Sequence, residues 1–314
     1  LTAGTVERMV DAPTAEDAFK VLNDLTFLAG CMGEYTVFEF QSVLAKGLQK
    51  MLRLVRRMAP HPNVINFLNL KYDFHNLKIS LKARLTSRGY DDVKHTLLDA
   101  GSLEESQWEK FILEGEVPPL TESMNATLDD VNKQYEKTED PQIVDMIVDK
   151  HLLGEMFLLA MLLDTKHTID YIKKLIDLTN LRTFIRCKEL KKEKNYLKAV
   201  LLENGTVSTD AYLESYSKGY EDLRLALEHK LYGSDLVESL DEFTNEKSLL
   251  MAEKKASELL EEFMKKVSHT PFGPEPVFAF FWKFENHMQI LRTILVGKLN
   301  QIPSEEIRAQ ALAL

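Results

Sequence analysis

A helical segment that occurs three times constrains this chain more than any other feature of its sequence. The first copy, FLNLKYDFHNLKISLKARL, occupies residues 67–85; its Leu77 lies 104 residues before Leu181, which lies 110 residues before Leu291. The aligned apolar positions are Phe67/Tyr171/Phe281, Phe74/Leu178/Met288 and Leu81/Ile185/Leu295, and the aligned basic positions are Lys78/Arg182/Arg292 and Arg84/Lys188/Lys298. Repeats of roughly a hundred residues are too long for a solenoid and predict three related small domains.

A second segment follows each of the first two copies and is itself repeated. LLDAGSLEESQW at residues 97–108 aligns with LLENGTVSTDAY at 201–212, so that Gly101 matches Gly205 and Ser102 matches Thr206. Glycine tolerates the positive φ that ends many helices, and Ser or Thr favours the start of the next one. Both segments are therefore predicted to end one helix and begin another.

The remaining segments also have helical patterns. Residues 38–58 carry an apolar stripe at spacings of three and four, and residues 212–231 and 236–267 are predicted as two further amphipathic helices. The segment after Asp140-Pro141 is apolar on a broad face, which predicts a mostly buried helix. Residues 36–40 are the best strand candidate, but their neighbours favour helix.

We therefore predict an all-α protein of three similar helical bundles, approximately 1–115, 116–220 and 221–314, with helices free to exchange between thirds.

Charge and composition exclude several classes of function. With 39 basic and 49 acidic residues the net charge is −10, which disfavours nucleic acid as a partner. The two cysteines, Cys31 and Cys187, lack the spacing of a disulfide framework or a zinc site, which indicates the reducing cytoplasm.

Membrane and targeting signals are also weak. The longest apolar run, 152–163, contains Glu155 and is shorter than the roughly 20 residues that a spanning helix needs. No secretory signal opens the chain, and because its first residue is Leu1 rather than Met we expect the N-terminus to be either missing or processed.

Candidate catalytic or metal-binding residues are few. Asp164 and His167 are three apart and are predicted on one helix, but a di-iron bundle needs two such pairs and two more carboxylates. His151 and Glu155 form half of a metal motif at best. Because phosphate-binding loops and nucleophile motifs are absent from the sequence, we expect no cofactor and no metal.

The polar residues within the repeat are better candidates for a role. Asp73 and Asn76 recur as Asp177 and Asn180, three residues apart and thus on one helical face. In the simpler interpretation they bind neighbouring backbone termini or a basic side chain and fix how each bundle closes. In the other they form repeated contacts on an exposed end of the molecule, where a partner docks.

The third copy carries a resemblance to a known family. Residues 278–308 resemble the C-terminal signature of the C-type subunits of the V/A-type rotary ATPases, whose eukaryotic counterparts are the d-type subunits. That signature has an aromatic pair and an acidic residue, here Glu285, followed by Leu291-Arg292 and Gly297-Lys298. His287 and Ile290 depart from it, so the polar contacts of relatives at these two positions are not expected here.

The resemblance implies three bundles arranged with pseudo-threefold symmetry as a funnel, without catalytic chemistry. It implies a socket that receives the central-stalk shaft, built of D- and F-type subunits, and rests on the proteolipid ring that moves H⁺ or Na⁺. The protein would then be cytoplasmic and bound to the membrane peripherally. The repeated structural or interface candidates are Asp73, Asn76, Lys78, Arg84, Asp177, Asn180, Arg182, Lys188, Glu285, Arg292 and Lys298.

Two other functions stay open at this point. One is a general helical-repeat scaffold or adaptor that binds another protein, and the other is a bundle enzyme that uses Asp164 and His167.

Overall fold

The structure is a computed structural model that describes residues 1–59 and 61–311. Within them the chain forms sixteen α-helices joined by turns and short 3-10 segments, without a β-strand. The helices are α1 Ala3–Val10, α2 Ala15–Lys20, α3 Phe40–Met58, α4 Pro62–Leu85, α5 Tyr90–Val93, α6 Glu105–Glu114, α7 Glu122–Thr138, α8 Gln142–Leu163, α9 Lys166–Glu189, α10 Lys194–Val200, α11 Thr209–Lys218, α12 Tyr220–Glu228, α13 Gly233–Glu246, α14 Leu249–Val267, α15 Glu275–Leu299 and α16 Ser304–Ala311. The predicted all-α class is confirmed.

The helices are distributed over two compact units. Leu1–Pro60 and Ser268–Leu314 form one, here called the terminal unit, and His61–Val267 form the other, the central unit. The two ends of the sequence thus share a unit, whereas the division into three bundles at 115/116 and 220/221 stays a prediction.

The terminal unit is built around α15, the third copy of the repeated helix. Its apolar face, which includes Phe281 and Leu291, is fully buried against α1, α2, α3 and α16. At Gly47 of α3 an added Cβ would lie 2.4 Å from the Leu28 side chain and 3.5 Å from Met288. A side chain at residue 47 would therefore require the end of the Leu28 side chain to move, which disturbs the packing at this point.

The central unit holds the first two copies of the repeated helix. α4 packs against α6 and α8, and α9 packs against α8 and α14. Phe184 of α9 lies at the centre of one core cluster, where its ring contacts Tyr212, Tyr216 and Tyr220 at centroid distances of 6.1, 5.4 and 6.1 Å. Burial of large apolar side chains of this kind supplies most of the stability of such helices.

Three sequence predictions about individual helices were wrong. The predicted helix 212–231 is interrupted at Gly219, where α11 ends and α12 begins. The predicted helix 236–267 is broken at Lys247, which adopts φ 52° and closes α13 by donating its N–H to the Phe243 carbonyl. α8 is less buried than predicted, because Leu158 and Leu162 are 59% and 69% exposed.

Candidate functional site

The three copies of the repeated helix bury the same apolar positions. The exposed fractions of Leu77, Leu181 and Leu291 are 0%, 1% and 0%, as expected from the alignment. The matched pair Trp108 and Tyr212 is likewise fully buried. The repeat in the sequence therefore corresponds to a repeat in packing at these positions.

In the first copy, Asp73 and Asn76 bind the backbone of the loop that precedes α6. The Ser102 N–H and hydroxyl donate to the two carboxylate oxygens of Asp73, each at 2.8 Å. Asn76 donates from Nδ2 to the Leu98 carbonyl at 2.8 Å and accepts the Leu98 N–H at 2.9 Å. Since both side chains are buried, these bonds replace the water that the loop backbone would otherwise bind.

The second copy reproduces this arrangement. Asp177 accepts the Thr206 N–H at 2.9 Å, the Val207 N–H at 3.2 Å and the Thr206 hydroxyl. Asn180 exchanges two hydrogen bonds with Leu202, both at 2.8 Å. Burial raises the pKa of Asp177, and its hydrogen bonds oppose that rise. These contacts are of the simpler kind, in which the repeated polar residues fix the closure of a loop.

The glycine of each loop is required by the carboxylate behind it. A Cβ on Gly101 would lie 2.4 Å from Asp73 Oδ1, and one on Gly205 would lie 2.2 Å from Asp177 Oδ1. Gly101 also has φ +114°, which side chains disfavour. The Gly-Ser and Gly-Thr pairs in the sequence are thus repeated because each packs against and hydrogen-bonds to the repeated aspartate.

The third copy departs from the other two at the positions that the sequence indicated. His287 occupies the position of the aspartate, is half-buried on α15, and has its Nδ1 3.4 Å from the Leu1 nitrogen. Burial lowers the pKa of His287 to about 4, so the ring is neutral at physiological pH. Ile290, at the position of the asparagine, has no hydrogen-bonding side chain, so it cannot hold a loop as Asn76 does.

The second basic position has the same role in all three copies. Arg84 Nη1 donates to the Phe111 carbonyl at 2.6 Å, Lys188 Nζ to the Tyr216 carbonyl at 2.7 Å, and Lys298 Nζ to the Ala12 carbonyl at 2.8 Å. These carbonyls lie near the end of α6, near the end of α11 and just after α1. A cation is favoured near the end of α6 and of α11 because the C-terminal end of a helix carries its negative dipole end.

The Lys298 contact joins the two ends of the sequence. Lys298 lies at the end of α15, and its partner Ala12 lies two residues after the end of α1. Sequence reasoning missed this because residues 3–10 do not align with 105–114 or 209–218.

Lys188 is also enclosed by aromatic rings. Its ammonium lies 5.9 Å from the centroid of Phe184, 5.4 Å from Tyr216 and 5.7 Å from Tyr220. Each ring face attracts a cation, so the side chain is held both by the carbonyl and by this cage.

Replacing Lys188 with methionine is expected to lower the free energy of unfolding by about 1–2 kcal/mol, since a charge-assisted hydrogen bond and cation–π contacts are lost while packing is kept. Urea denaturation followed by circular dichroism measures this change. Lys198→Met, on the exposed side of α10, is the matched control and should change stability by less than about 0.5 kcal/mol. Equal losses in the two variants would contradict a role for the cage.

The first basic position differs in exposure between the copies. Lys78 bridges α4 to α8 through Asp149 at 2.5 Å. Arg182 is exposed on α9, and Arg292 and Glu285 are half-buried on α15. Equivalent contacts to a backbone carbonyl are therefore established for the second basic position.

A buried lysine was missed by sequence reasoning. Lys174 of α9 is 4% exposed, donates to the Leu259 carbonyl at 3.0 Å and forms an ion pair with Asp235. The rings of Phe263 and Tyr232 lie 5.5 and 5.9 Å from its ammonium. No sequence signal identified it, because the aligned positions of the other copies are the apolar Leu70 and Phe284.

The candidate enzyme residues are not assembled into a site. Asp164 and His167 do not share a helix, because Asp164 adopts φ 49° after α8 and His167 lies in the first turn of α9. His151 of α8 is hydrogen-bonded through Nε2 to Asp130 of α7 at 2.9 Å. In the part of the chain that the structure describes, no three His, Cys, Asp or Glu side chains are grouped as metal ligands.

The length and apolar character of the helices decide whether any of them could cross a membrane. Over residues 1–59 and 61–311, none of them combines the length and the apolar character that crossing a bilayer requires.

Comparison with known proteins places the chain in a family. The profile of the family described as ATP synthase (C/AC39) subunit matches residues 1–310. The C-type subunit of the V-type sodium ATPase of Enterococcus hirae is 23% identical over 310 residues, covering 98% of this chain and 92% of the relative. The C-type subunit of the A-type ATP synthase of Methanocaldococcus jannaschii is 20% identical over 330 residues, covering 98% of this chain and 82% of the relative. The chain belongs to the C/AC39 subunit family of the V-type and A-type ATPases.

Proposed function

We propose that this chain is a non-catalytic central-stalk subunit of a V/A-type rotary ATPase and acts as a socket that passes rotation between the shaft and the proteolipid ring. Its partners would be the D- and F-type shaft subunits on one side and the ring on the other, which would associate it with the membrane peripherally. The three bundles would be arranged about a pseudo-threefold axis to form the socket.

The observation that supports this function is the internal bracing of the repeated helices. In each copy a cation on the repeated helix holds the end of a second helix, through Arg84, Lys188 or Lys298. A part that transmits torque must resist twisting, and packed helices tied together by charge-assisted hydrogen bonds are suited to that. A metal-dependent bundle enzyme has no comparable support, because Asp164 and His167 are separated by a helix break.

Assembly of the rotary complex with and without this chain tests the proposal. We expect that membranes reconstituted without it keep ATP hydrolysis by the soluble head but lose ATP-driven ion transport, and that adding the wild-type chain restores transport. The chain should also co-sediment with the isolated ring and with the shaft subunits. Lys198→Met is the control and should restore transport as the wild type does.

Failure to bind either the ring or the shaft would contradict the socket. Normal transport in complexes that lack the chain would instead favour the scaffold or adaptor function.

A further inference from the structure

A groove on the central unit is not explained by the contacts of the repeated helices. It lies along the antiparallel pair α7 and α8, has a volume of about 960 Å³, and is also lined by Ala199 of α10 and by Asn204 of the loop that Asp177 holds. Its apolar lining is Ala126, Ile143, Met146, Ile147, Leu158 and Ala199.

The α8 side of the groove is one continuous helical face. Ile143, Ile147, Gly154 and Leu158 recur at the spacing of successive turns, so the face extends roughly 22 Å at 1.5 Å per residue. Leu158 is 59% exposed, and the isoleucines are half-buried. A groove of this length and apolar character matches the face of a helix of four turns.

Neither the packing of the described residues nor the backbone conformation requires a glycine at residue 154, in the middle of this face. A Cβ built on it meets no atom of the described residues within 4 Å, and its φ is not in the positive range. Glycine inside a helix costs about 0.5–1 kcal/mol relative to alanine, so an uncrowded position of ordinary φ does not require it. A bare backbone at this point instead permits close approach by a side chain from outside.

The charges of the lining are unbalanced. Glu122, Asp130 and Glu155 face the groove together with the single lysine Lys150. His151 is hydrogen-bonded to Asp130 and thus lies against one of the carboxylates. Such a lining attracts a cationic partner and repels phosphate-rich surfaces such as anionic lipid or nucleic acid.

We propose that this groove docks an amphipathic helix of a partner protein, with its apolar stripe flanked by Lys or Arg and one large apolar side chain seated against Gly154. The apolar face supplies the contact area, Gly154 supplies the close approach, and the three carboxylates select the sign of the charge. The proposal does not depend on the rotary function.

The test uses the full-length chain and a labelled Leu/Lys peptide of about 18 residues, roughly 27 Å long as a helix, with leucines at i, i+3, i+4 and i+7. Fluorescence polarisation measures its affinity. We expect Gly154→Trp, which fills the groove, to weaken binding at least about tenfold. Gly154→Ala should weaken binding by a smaller factor than Gly154→Trp, because its methyl group hinders the close approach, while raising the melting temperature slightly. Gly4 of α1 gives the matched control: a Cβ built on it also meets no atom of the described residues within 4 Å, and it does not line the groove, so Gly4→Trp should leave binding within about twofold. A Leu/Glu peptide with the same stripe and a scrambled Leu/Lys peptide should both bind at least about tenfold more weakly than the Leu/Lys helix.

Several results would overturn the proposal. One is equal affinity of the Leu/Lys helix for the wild type and for Gly154→Trp, and another is equal affinity of the wild type for the helical and scrambled peptides. A dimer in sedimentation that Gly154→Trp dissociates would show that a second copy of the chain occupies the groove. Circular dichroism of each variant establishes that the fold is retained, so a loss of binding reports on the groove.

Discussion

Asp177→Ala is expected to lower the free energy of unfolding by about 3–5 kcal/mol, because the N–H groups of Thr206 and Val207 and the Thr206 hydroxyl would lose their shared acceptor. Each buried donor left without a partner costs about 1–3 kcal/mol, and alanine also leaves a cavity where the carboxylate stood. Urea denaturation followed by circular dichroism measures the loss, with a fall in midpoint at constant slope.

Asp177→Asn is the matched control, because asparagine has nearly the size and shape of aspartate without its charge. Its oxygen can still accept the two N–H groups and its amide can donate to the Thr206 hydroxyl, so a loss of under about 2 kcal/mol is expected. If alanine and asparagine destabilised the protein equally, the hydrogen bonds would not be the source of the effect. Asp73→Ala should also destabilise the protein, since the Ser102 N–H and hydroxyl donate to Asp73 in the same way.

The stability difference between the wild type and Asp177→Asn should depend on pH, in a direction set by the pKa shift of Asp177. Burial raises the folded-state pKa of Asp177 above its unfolded value of about 3.9, so between the two values the folded state holds the extra proton. Its contribution to stability is therefore complete below about pH 4 and falls as the pH rises through the folded pKa. The stability of the wild type relative to Asp177→Asn should decline over that window, and a rise would show that the hydrogen bonds outweigh burial.

From the repeat in the sequence, the positions that are buried within each copy could be predicted. Leu77, Leu181 and Leu291 are buried alike, and Trp108 and Tyr212 are both fully buried, because residues matched in a repeat take matched places in the packing. The loop glycines and the aspartates were both found as repeated positions. Their pairing was not, since residues 73 and 102 are brought together by the turn of the chain and sequence spacing alone does not show it.

The sequence could not show where each helix finds its partners. Lys298 was a candidate because it aligns with Arg84 and Lys188, yet its partner Ala12 lies at the other end of the chain, in a segment without repeat character. α8 was predicted to be mostly buried because apolar content does not reveal that one of its faces borders a groove. Lys174 escaped because a lysine on a helix usually faces water, and only the tertiary structure places α13 and α14 around it.

The buried pair Lys174–Asp235 leads to the second large effect. Asp235→Ala is expected to destabilise the protein by about 3 kcal/mol, because it leaves the Lys174 ammonium buried with the Leu259 carbonyl and two rings but without a counter-charge. Unfolding in urea measures the change. Asp241→Ala on the same helix α13 is the matched control: Asp241 pairs with Arg224 at the surface, with exposed fractions of 36% and 41% for Arg224 and Asp241, and its loss should cost at most about 1 kcal/mol.

The double variant Lys174→Met/Asp235→Ala separates the value of the pair from the cost of a stranded charge. An apolar side chain at residue 174 suits the rings of Phe263 and Tyr232, so we expect the double variant to be more stable than Asp235→Ala by about 2 kcal/mol. Additive losses would show that Lys174 and Asp235 do not act as a pair. A double variant more stable than Asp235→Ala would instead show that Asp235 is needed because the Lys174 ammonium is buried. Lys174, which occurs in one copy of the repeat, would then be the residue through which α9 contacts both α13 and α14 by polar bonds.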